Sequence, residues 1–111
     1  MISYAEFAIE GRVGKITAEP NRTRVDIATT YARRDAANEY YDEVSWWIIF
    51  VFGEERFKAD KLLKGDHVRV TGRMRATTYD KDGVKHYRTE LIGGHLQLGL
   101  RPPAKRLSAN A

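Results

Sequence analysis

The sequence predicts an all-β domain with one short helix, arranged as an OB-fold, a five-stranded Greek-key barrel. Three observations support this prediction. β-Branched and aromatic residues cluster in five stretches that are separated by turn-forming residues. One segment between the third and fourth stretches has helical instead of alternating periodicity. Three strands, a helix and two further strands follow one another in the order of the OB-fold, in which the helix closes one end of the barrel.

The length of the chain limits it to one domain. Its 111 residues, 42% of them hydrophobic, could not form two cores that each bury enough surface. We expect the OB-fold domain at residues 1–100 and a flexible tail at residues 101–111, because Pro102-Pro103 stops regular structure. The longest apolar run, Trp46–Phe52, is too short to cross a bilayer, so we expect a soluble cytoplasmic protein that does not associate with a membrane.

The first two strands are predicted at about Tyr4–Ile16 and Arg24–Tyr31, joined by a turn at Glu19-Pro20-Asn21. Proline fixes φ in that turn, and asparagine tolerates an unusual backbone conformation. Residues 33–43 follow, and their charge and alanine content favours a hairpin arm or a loop, with a short helix as the alternative.

The third strand, predicted at Val44–Phe52, is apolar on both of its faces. Successive side chains of a strand project to opposite sides, so residues 46, 48, 50 and 52 face away from residues 47, 49 and 51. One set fills the barrel, and the other needs a cover. A neighbouring subunit and stacked nucleic-acid bases are the two alternatives for that cover.

The helix is predicted at Glu54–Leu63, where Ala59, Leu62 and Leu63 are spaced as one apolar face. Lys64-Gly65 follows, and glycine is the usual residue of a left-handed C-terminal cap. The acidic residues near the start of the segment and the lysines near its end suit the helix dipole.

The fourth strand, predicted at His67–Tyr79, alternates between two kinds of side chain. Three arginines lie on one face at intervals of two or four residues, or roughly 7 to 14 Å, close to the phosphate spacing of an extended single strand. Guanidinium groups can also stack on bases. The alternative is a solvated face with cross-strand partners such as Glu90. The two faces consist of Val68, Val70, Gly72 and Met74, and of Arg69, Thr71, Arg73 and Arg75.

The fifth strand, predicted at His86–Leu98, forms a hairpin with the fourth, because Asp82-Gly83 is a strong two-residue turn signal. This half of the chain is cationic: residues 67–111 hold 9 Lys/Arg against 3 Asp/Glu, whereas residues 1–66 hold 10 against 12. Tyrosines accompany the cations along the hairpin. Aromatic rings beside cations are what a sequence-tolerant binder of single-stranded nucleic acid needs.

Catalytic and metal-binding residues are not apparent in the sequence. The chain has no cysteine, which excludes disulfides, thiol nucleophiles and Cys-ligated zinc. Its three histidines, His67, His86 and His95, are isolated, and no serine lies in a nucleophile elbow. We therefore expect a protein that is not an enzyme and that has no cofactor, no metal and no catalytic residue.

Six groups of residues carry a resemblance to a known family. They are Gly11-Arg12-Val13-Gly14, Ile27-Ala28-Thr29-Thr30, Trp46 through Gly53, Leu63 through Val68, Val70 through Arg75, and Tyr79 with Gly83, Tyr87 and Thr89-Glu90. In this order and spacing they resemble the bacterial single-stranded DNA-binding protein family over about residues 5–99. The resemblance implies an OB-fold, usually assembled as a homotetramer, that binds single-stranded DNA without sequence preference in DNA replication, recombination and repair. For this chain a tetramer is favoured over a dimer. RNA is an alternative ligand, since stacking and charge act on both polymers.

The resemblance also implies which aromatic residues contact DNA. Trp46, Phe52 and Tyr79 match positions on which that family stacks bases, and Tyr79 replaces a more usual tryptophan. A further stacking aromatic of the family aligns nearest Arg33, and Tyr31 is the neighbouring ring that could substitute for it.

Basic positions are implied in the same way. Arg75 matches a position that contacts the DNA backbone, and Lys64 matches a basic position beside the helix end. Trp47 falls where the family makes subunit contacts, which would account for the second apolar face of the third strand. The expected DNA-binding residues are Trp46, Phe52, Tyr79, Arg73, Arg75, Lys64, Tyr31 and Arg33.

The C-terminus departs from the family pattern. Family members usually continue through a long flexible linker to an acidic tip that recruits replication proteins, whereas this sequence ends at Ala111 shortly after the basic pair Lys105-Arg106. Recruitment of replication proteins by that route is therefore not expected, and replication proteins stay possible partners only by another route. The alternative function is a primosomal-type OB-fold module that interacts with proteins in a replication-restart complex.

Overall fold

Five strands and one helix follow one another in the predicted order. The computed structural model describes residues 3–99, and the predicted tail at residues 101–111 lies outside them. The strands close into a barrel in the order β1-β2-β3-β5-β4, which confirms the predicted OB-fold. The elements are β1 (Glu6–Ala18), β2 (Thr23–Arg34), β3 (Tyr40–Val51), α1 (Glu55–Asp60), β4 (His67–Lys81) and β5 (Val84–Leu98).

The barrel interior is filled by branched aliphatic side chains, which alternate with outward-facing residues along the strands. On β3, Ile49 and Val51 are fully buried, and on β4, Val68 and Val70 are buried to the same degree. One of the two predicted faces of each strand therefore fills the barrel. The buried core also contains Val13, Val25, Ile27, Leu91 and Leu96.

The helix α1 closes one end of the barrel. It is held there by polar contacts to two strands: the Thr23 hydroxyl donates to Asp60 at 2.6 Å, and the Glu55 carboxylate accepts a hydrogen bond from the Leu96 N–H at 3.1 Å. This backbone hydrogen bond lowers the pKa of Glu55. Within residues 3–99, no helix is long and apolar enough to cross a membrane.

The helix is shorter than predicted and ends at Asp60 instead of Leu63. The N–H of Leu63 donates to the side-chain carboxylate of Asp66 at 2.8 Å instead of to a carbonyl one turn earlier. This side-chain contact draws the backbone into a turn at residues 63–66, which then leads directly into β4.

Two hairpins extend as exposed arms beyond the core. The β2–β3 arm, residues 29–45, is paired without interruption up to Arg34 and Tyr40. Residues 33–43 are therefore a hairpin arm, as one of the predicted alternatives states, and the short-helix alternative is wrong. Its turn is closed by Asp35, whose Oδ1 atom accepts hydrogen bonds from two backbone N–H groups at 2.9 Å.

The β4–β5 arm, residues 75–90, ends in the predicted two-residue turn. Asp82 and Gly83 both have positive φ, 54° and 76°, as the turn of a tight hairpin requires. Pairing runs continuously from this turn to Arg75 and Glu90. The predicted hairpin between the last two strands is confirmed.

Candidate nucleic-acid interface

The outer face of β3 carries three apolar side chains that the rest of the chain covers incompletely. Because Ile49 and Val51 point into the barrel, Trp46, Ile48 and Phe50 point outward. Trp46 is 61% exposed and Ile48 is 41% exposed, whereas Phe50 is half-buried. Exposed apolar surface of this kind is typical of an interaction site. The prediction that both faces of this strand are apolar and that only one is covered by the core is confirmed.

A glycine at a bulge in β1 makes room for the Trp46 indole. Gly14 lies between Val13 and Lys15, where the register of β1 against β2 shifts. A Cβ atom at Gly14 would lie 2.4 and 2.5 Å from two carbons of the six-membered ring of Trp46, so a residue with a side chain would displace the ring. The indole is thus held over the β1 backbone, with the rest of its surface open to solvent.

A groove of about 440 Å³ runs beside β3 and combines apolar with charged side chains. We call it the β3 groove. On its β2 side, Arg24 pairs with Asp26 at 2.9 Å, and this hydrogen bond raises the pKa of Arg24. Flat apolar surface beside guanidinium groups can hold both bases and phosphates. The lining includes Arg24, Trp46, Trp47, Ile48, Phe50, Met74, Arg88 and Glu90.

The arginines of β4 differ in how they are paired. Arg75 forms an ion pair with Glu90 on β5 at 2.8 Å, and Arg69 forms one with Glu10 on β1 at 3.7 Å. Arg73 lies exposed between them and has no ionic or hydrogen-bonding partner within the described part of the chain. Arg69 and Arg75 thus have acidic cross-strand partners, as the solvated-face alternative predicts. That Arg73 or Arg75 contacts DNA stays a prediction.

Tyr79 lies on the outer face of the β4–β5 arm, on the same side of the hairpin as Arg75. Its ring stacks on His86 of the opposite strand, with centroids 5.1 Å apart and planes inclined by 17°. The guanidinium group of Arg88 lies 5.0 Å from the Tyr79 centroid. Because Arg88 also lines the β3 groove, Tyr79 and His86 extend the surface of this groove onto the arm.

Tyr31 and Arg33 lie on the opposite face of the β2–β3 arm from Trp46. Both have the orientation of Ile27, which points into the barrel. Arg33 pairs with Glu43 across the arm at 3.7 Å. Tyr31 and Trp47 line an opening of about 540 Å³ at the end of the barrel away from α1. The structure therefore does not bring Tyr31 and Arg33 together with Trp46.

Phe52 and Lys64 lie at the end of the barrel that α1 closes. Phe52 is the residue after β3 and is half-buried. Lys64 is exposed in the turn at residues 63–66, and a backbone N–H of this turn donates to the carbonyl of Val13 at 2.7 Å. Since Val13 precedes the glycine beneath the indole, the turn lies next to the β1 backbone on which Trp46 rests.

Several residues in and beside the groove are absent from the set predicted from the sequence, and four of them offer a ring or a guanidinium group beside Trp46 or Phe50. Phe50 carried a signal, because it shares the face of Trp46 in an apolar run. The positions of the three arginines depend on which strand lies beside β3 and on how the first turn folds back, which one sequence does not reveal. The four residues are Arg22, Arg24, Phe50 and Arg88.

The arrangement supplies non-covalent contacts. Aromatic and guanidinium planes can stack on flat rings, and the guanidinium N–H groups can donate to phosphate oxygens. Among residues 3–99, no group of three or more His, Cys, Asp or Glu side chains could hold a metal ion.

The sequence matches a known family and known relatives. The model of the single-strand binding protein family matches residues 6–98. A single-stranded DNA-binding protein of Xanthomonas campestris pv. campestris is 32% identical over 78 residues, which cover 68% of this chain and 45% of that protein. The matched stretch thus spans less than half the length of this relative.

Solved structures share the fold. The structure of a Plasmodium falciparum SSB complex with ssDNA has a TM-score of 0.68 and 25% identity, and the match covers 88% of this chain and 96% of the other. A small single-stranded DNA-binding protein from Streptomyces coelicolor has a TM-score of 0.65 and 18% identity, with 89% and 97% covered. The second likeness concerns the fold alone.

Proposed function

Because the chain belongs to the single-strand binding protein family, we propose that it binds single-stranded DNA without sequence preference and protects it in replication, recombination or repair. The observation that carries the proposal is the exposed indole of Trp46, which borders the β3 groove beside guanidinium groups. The single-stranded DNA-binding relative and the solved complex with ssDNA support it. In this proposal the protein is a binding protein of the cytoplasm and not an enzyme.

Two physical effects would hold the DNA. Bases stack on Trp46 and on the ring pair of Tyr79 and His86, and every base offers a flat face to such a ring. Arg73 and Arg88 neutralise phosphates, and the release of counterions makes the affinity fall with salt, with a slope of about −0.7 per phosphate. Neither effect depends on base sequence. Phe52 and Lys64 would continue the path toward the end that α1 closes.

A fluorescence titration with oligothymidylate tests the proposal. We expect tryptophan fluorescence to fall on binding, and Trp46→Ala to lose about 1 to 3 kcal/mol of binding free energy for each base that stacks on it. Phe57→Ala is a matched control, since it removes a 65% exposed ring from α1, away from the groove, and should keep the affinity. Unchanged fluorescence together with no gel shift at low salt would contradict the proposal.

The same titration separates DNA from RNA. Stacking and charge act on both polymers, and only a contact to the 2′-hydroxyl would distinguish them. Matched DNA and RNA homopolymers at two salt concentrations are therefore compared. A higher affinity for DNA supports the proposal as stated, and equal affinities would extend it to both ligands.

We also propose that the chain assembles as a homo-oligomer, with a tetramer favoured over a dimer. At the end of the barrel away from α1, Trp47 is 40% exposed and Met74 is 39% exposed around the opening of about 540 Å³. The Trp47 Nε1 atom donates to the Thr29 hydroxyl at 2.9 Å, which holds the ring in place while leaving part of its surface open. Docking of a second copy here would remove this apolar surface from water.

A further inference from the structure

The ring of Phe50 is covered on the outer face of β3 by a guanidinium group. The Cζ atom of Arg22 lies over this ring, 3.8 Å from its centroid. Contact at this distance is a cation–π interaction, and Arg is the cation that most often makes it. The phenyl ring is half-buried, and the Arg22 side chain above it is 31% exposed.

The turn between β1 and β2 positions Arg22. Its Nε atom donates to the Glu19 carboxylate at 2.6 Å, and the Glu19 N–H donates to the Arg22 carbonyl at 2.8 Å. Arg56 fastens the turn to α1 by donating to the carbonyls of Glu19 and Pro20, at 2.6 and 3.3 Å. These contacts fix the guanidinium group and leave its two terminal nitrogens without a hydrogen-bonding partner among residues 3–99.

The β3 groove connects this pair with Trp46. Phe50 lies four residues from Trp46 on the same face of β3, or about 13 Å along the strand. Both residues line the groove, and Arg24 lies directly opposite Phe50 on β2. A single strand whose base stacks on Trp46 can therefore reach Phe50 within a few nucleotides without leaving the groove.

We infer that Arg22 and Phe50 form a second base-stacking platform, in which a nucleobase stacks on the outer side of the Arg22 guanidinium group and Phe50 supports that group from below. The inference rests on the proposed function. Guanidinium planes stack on unpaired bases, and their free N–H groups can donate to a neighbouring phosphate. Because Glu19 already opposes the charge of Arg22, stacking and not charge is the main contribution.

Two variants separate stacking from charge. Arg22→Lys keeps the charge and removes the plane, whereas Phe50→Leu keeps an apolar side chain and removes the ring. Each should weaken the affinity for oligothymidylate about tenfold, which is within the range of one stacked base. For Arg22→Lys the slope of log affinity against log salt should not change, because the number of cations is the same.

The helix α1 supplies matched controls. Lys58→Ala removes a cation that, like Arg22, is ion-paired three residues away, here with Glu55 at 3.2 Å. Phe57→Leu makes the same replacement as Phe50→Leu at an exposed site away from the groove. Both controls should bind as tightly as the wild type.

The outcomes distinguish the inference from the proposed function. Wild-type affinity of Arg22→Lys would overturn the second platform, and so would a Phe50→Leu variant that binds as tightly as Phe57→Leu. If the unfolding curve of Phe50→Leu shows that it does not fold, the surface variant Arg22→Lys decides alone. A wild-type protein that does not bind oligothymidylate overturns the proposed function itself.

Discussion

Arg73 differs from the other two arginines on its face of β4, because it has no acidic partner among residues 3–99. Its charge is available to a phosphate, whereas the charges of Arg69 and Arg75 are opposed by carboxylates. Arg73→Ala should therefore reduce the slope of log affinity against log salt by about 0.7, the share of one phosphate. Salt titrations with oligothymidylate measure this slope.

Arg73→Lys is the control for that prediction. Any cation at this position can neutralise a phosphate, so the lysine variant should retain the wild-type slope. Equal slopes for the wild type and Arg73→Ala would show that Arg73 does not contact a phosphate. The expected rescue by lysine contrasts with Arg22, where the plane of the group is required.

For single residues, the sequence predicted the side of a strand on which a side chain lies better than it predicted which side chains contact one another. Alternation along β3 indicated a second apolar face, and the structure exposes Trp46 on it. The solvated-face alternative names Glu90 as a cross-strand partner of the three arginines on β4, and it pairs with Arg75. The contact between Arg22 and Phe50 could not be predicted, because it joins residues far apart in sequence and depends on how the first turn folds back.

The position of the Trp46 ring depends on the backbone of β1 at Gly14, so it is a property of the strand and not of one side chain. Gly14→Ala would place a Cβ atom 2.4 Å from the indole, and the ring must move. We expect the DNA affinity to fall toward that of Trp46→Ala, accompanied by a shift in tryptophan emission of the free protein. A fluorescence titration measures both quantities.

A second glycine provides the control for Gly14→Ala. A Cβ atom at Gly94 would meet its nearest neighbours at 3.7 and 3.9 Å, which is ordinary van der Waals contact. Gly94→Ala should therefore keep the affinity and the emission spectrum of the wild type. If Gly14→Ala behaves as Gly94→Ala does, the missing side chain of Gly14 does not position Trp46.

Among the elements, the strands and their order were predictable, and their ends were not. Period-two alternation is a local property of the backbone, so it divided the side chains of β3 and β4 into two faces, but it left open which face of β3 fills the barrel. The end of α1 depends on the Asp66 carboxylate, which takes the N–H of Leu63 from outside the helical pattern. The bulge at Gly14 likewise arises where β1 turns from one partner strand to another, which no single segment reveals.

For the whole molecule, Trp47 is the residue that tests the proposed assembly. Trp47→Glu would place a charge in the apolar opening at the end of the barrel, and burying an unpaired charge between copies is unfavourable. We expect analytical sedimentation to show a tetramer for the wild type and smaller species for this variant. Trp46→Glu is the matched control, because it introduces the same charge on the other face of β3, and it should remain assembled.

Sedimentation and the oligothymidylate titration together separate the two functional hypotheses, DNA binding and protein interaction. Assembly that depends on Trp47, together with no affinity for oligothymidylate, would favour the protein-interaction module over DNA binding. A wild type that sediments as a single chain would contradict the proposed oligomer. DNA binding by such a single chain would show that one barrel is sufficient.

Trp46 and Trp47 are consecutive residues with opposite orientations, so the phase of β3 decides which indole lies on the outer face of the strand and which lies at the opening of the barrel. A slip of one residue against β2 would exchange the two indoles and turn Ile49 out of the core. An odd change in the number of residues in this strand therefore differs in its effect from an even change. One residue inserted ahead of Trp46 must be absorbed as a new irregularity, whereas two can be added without disturbing either surface.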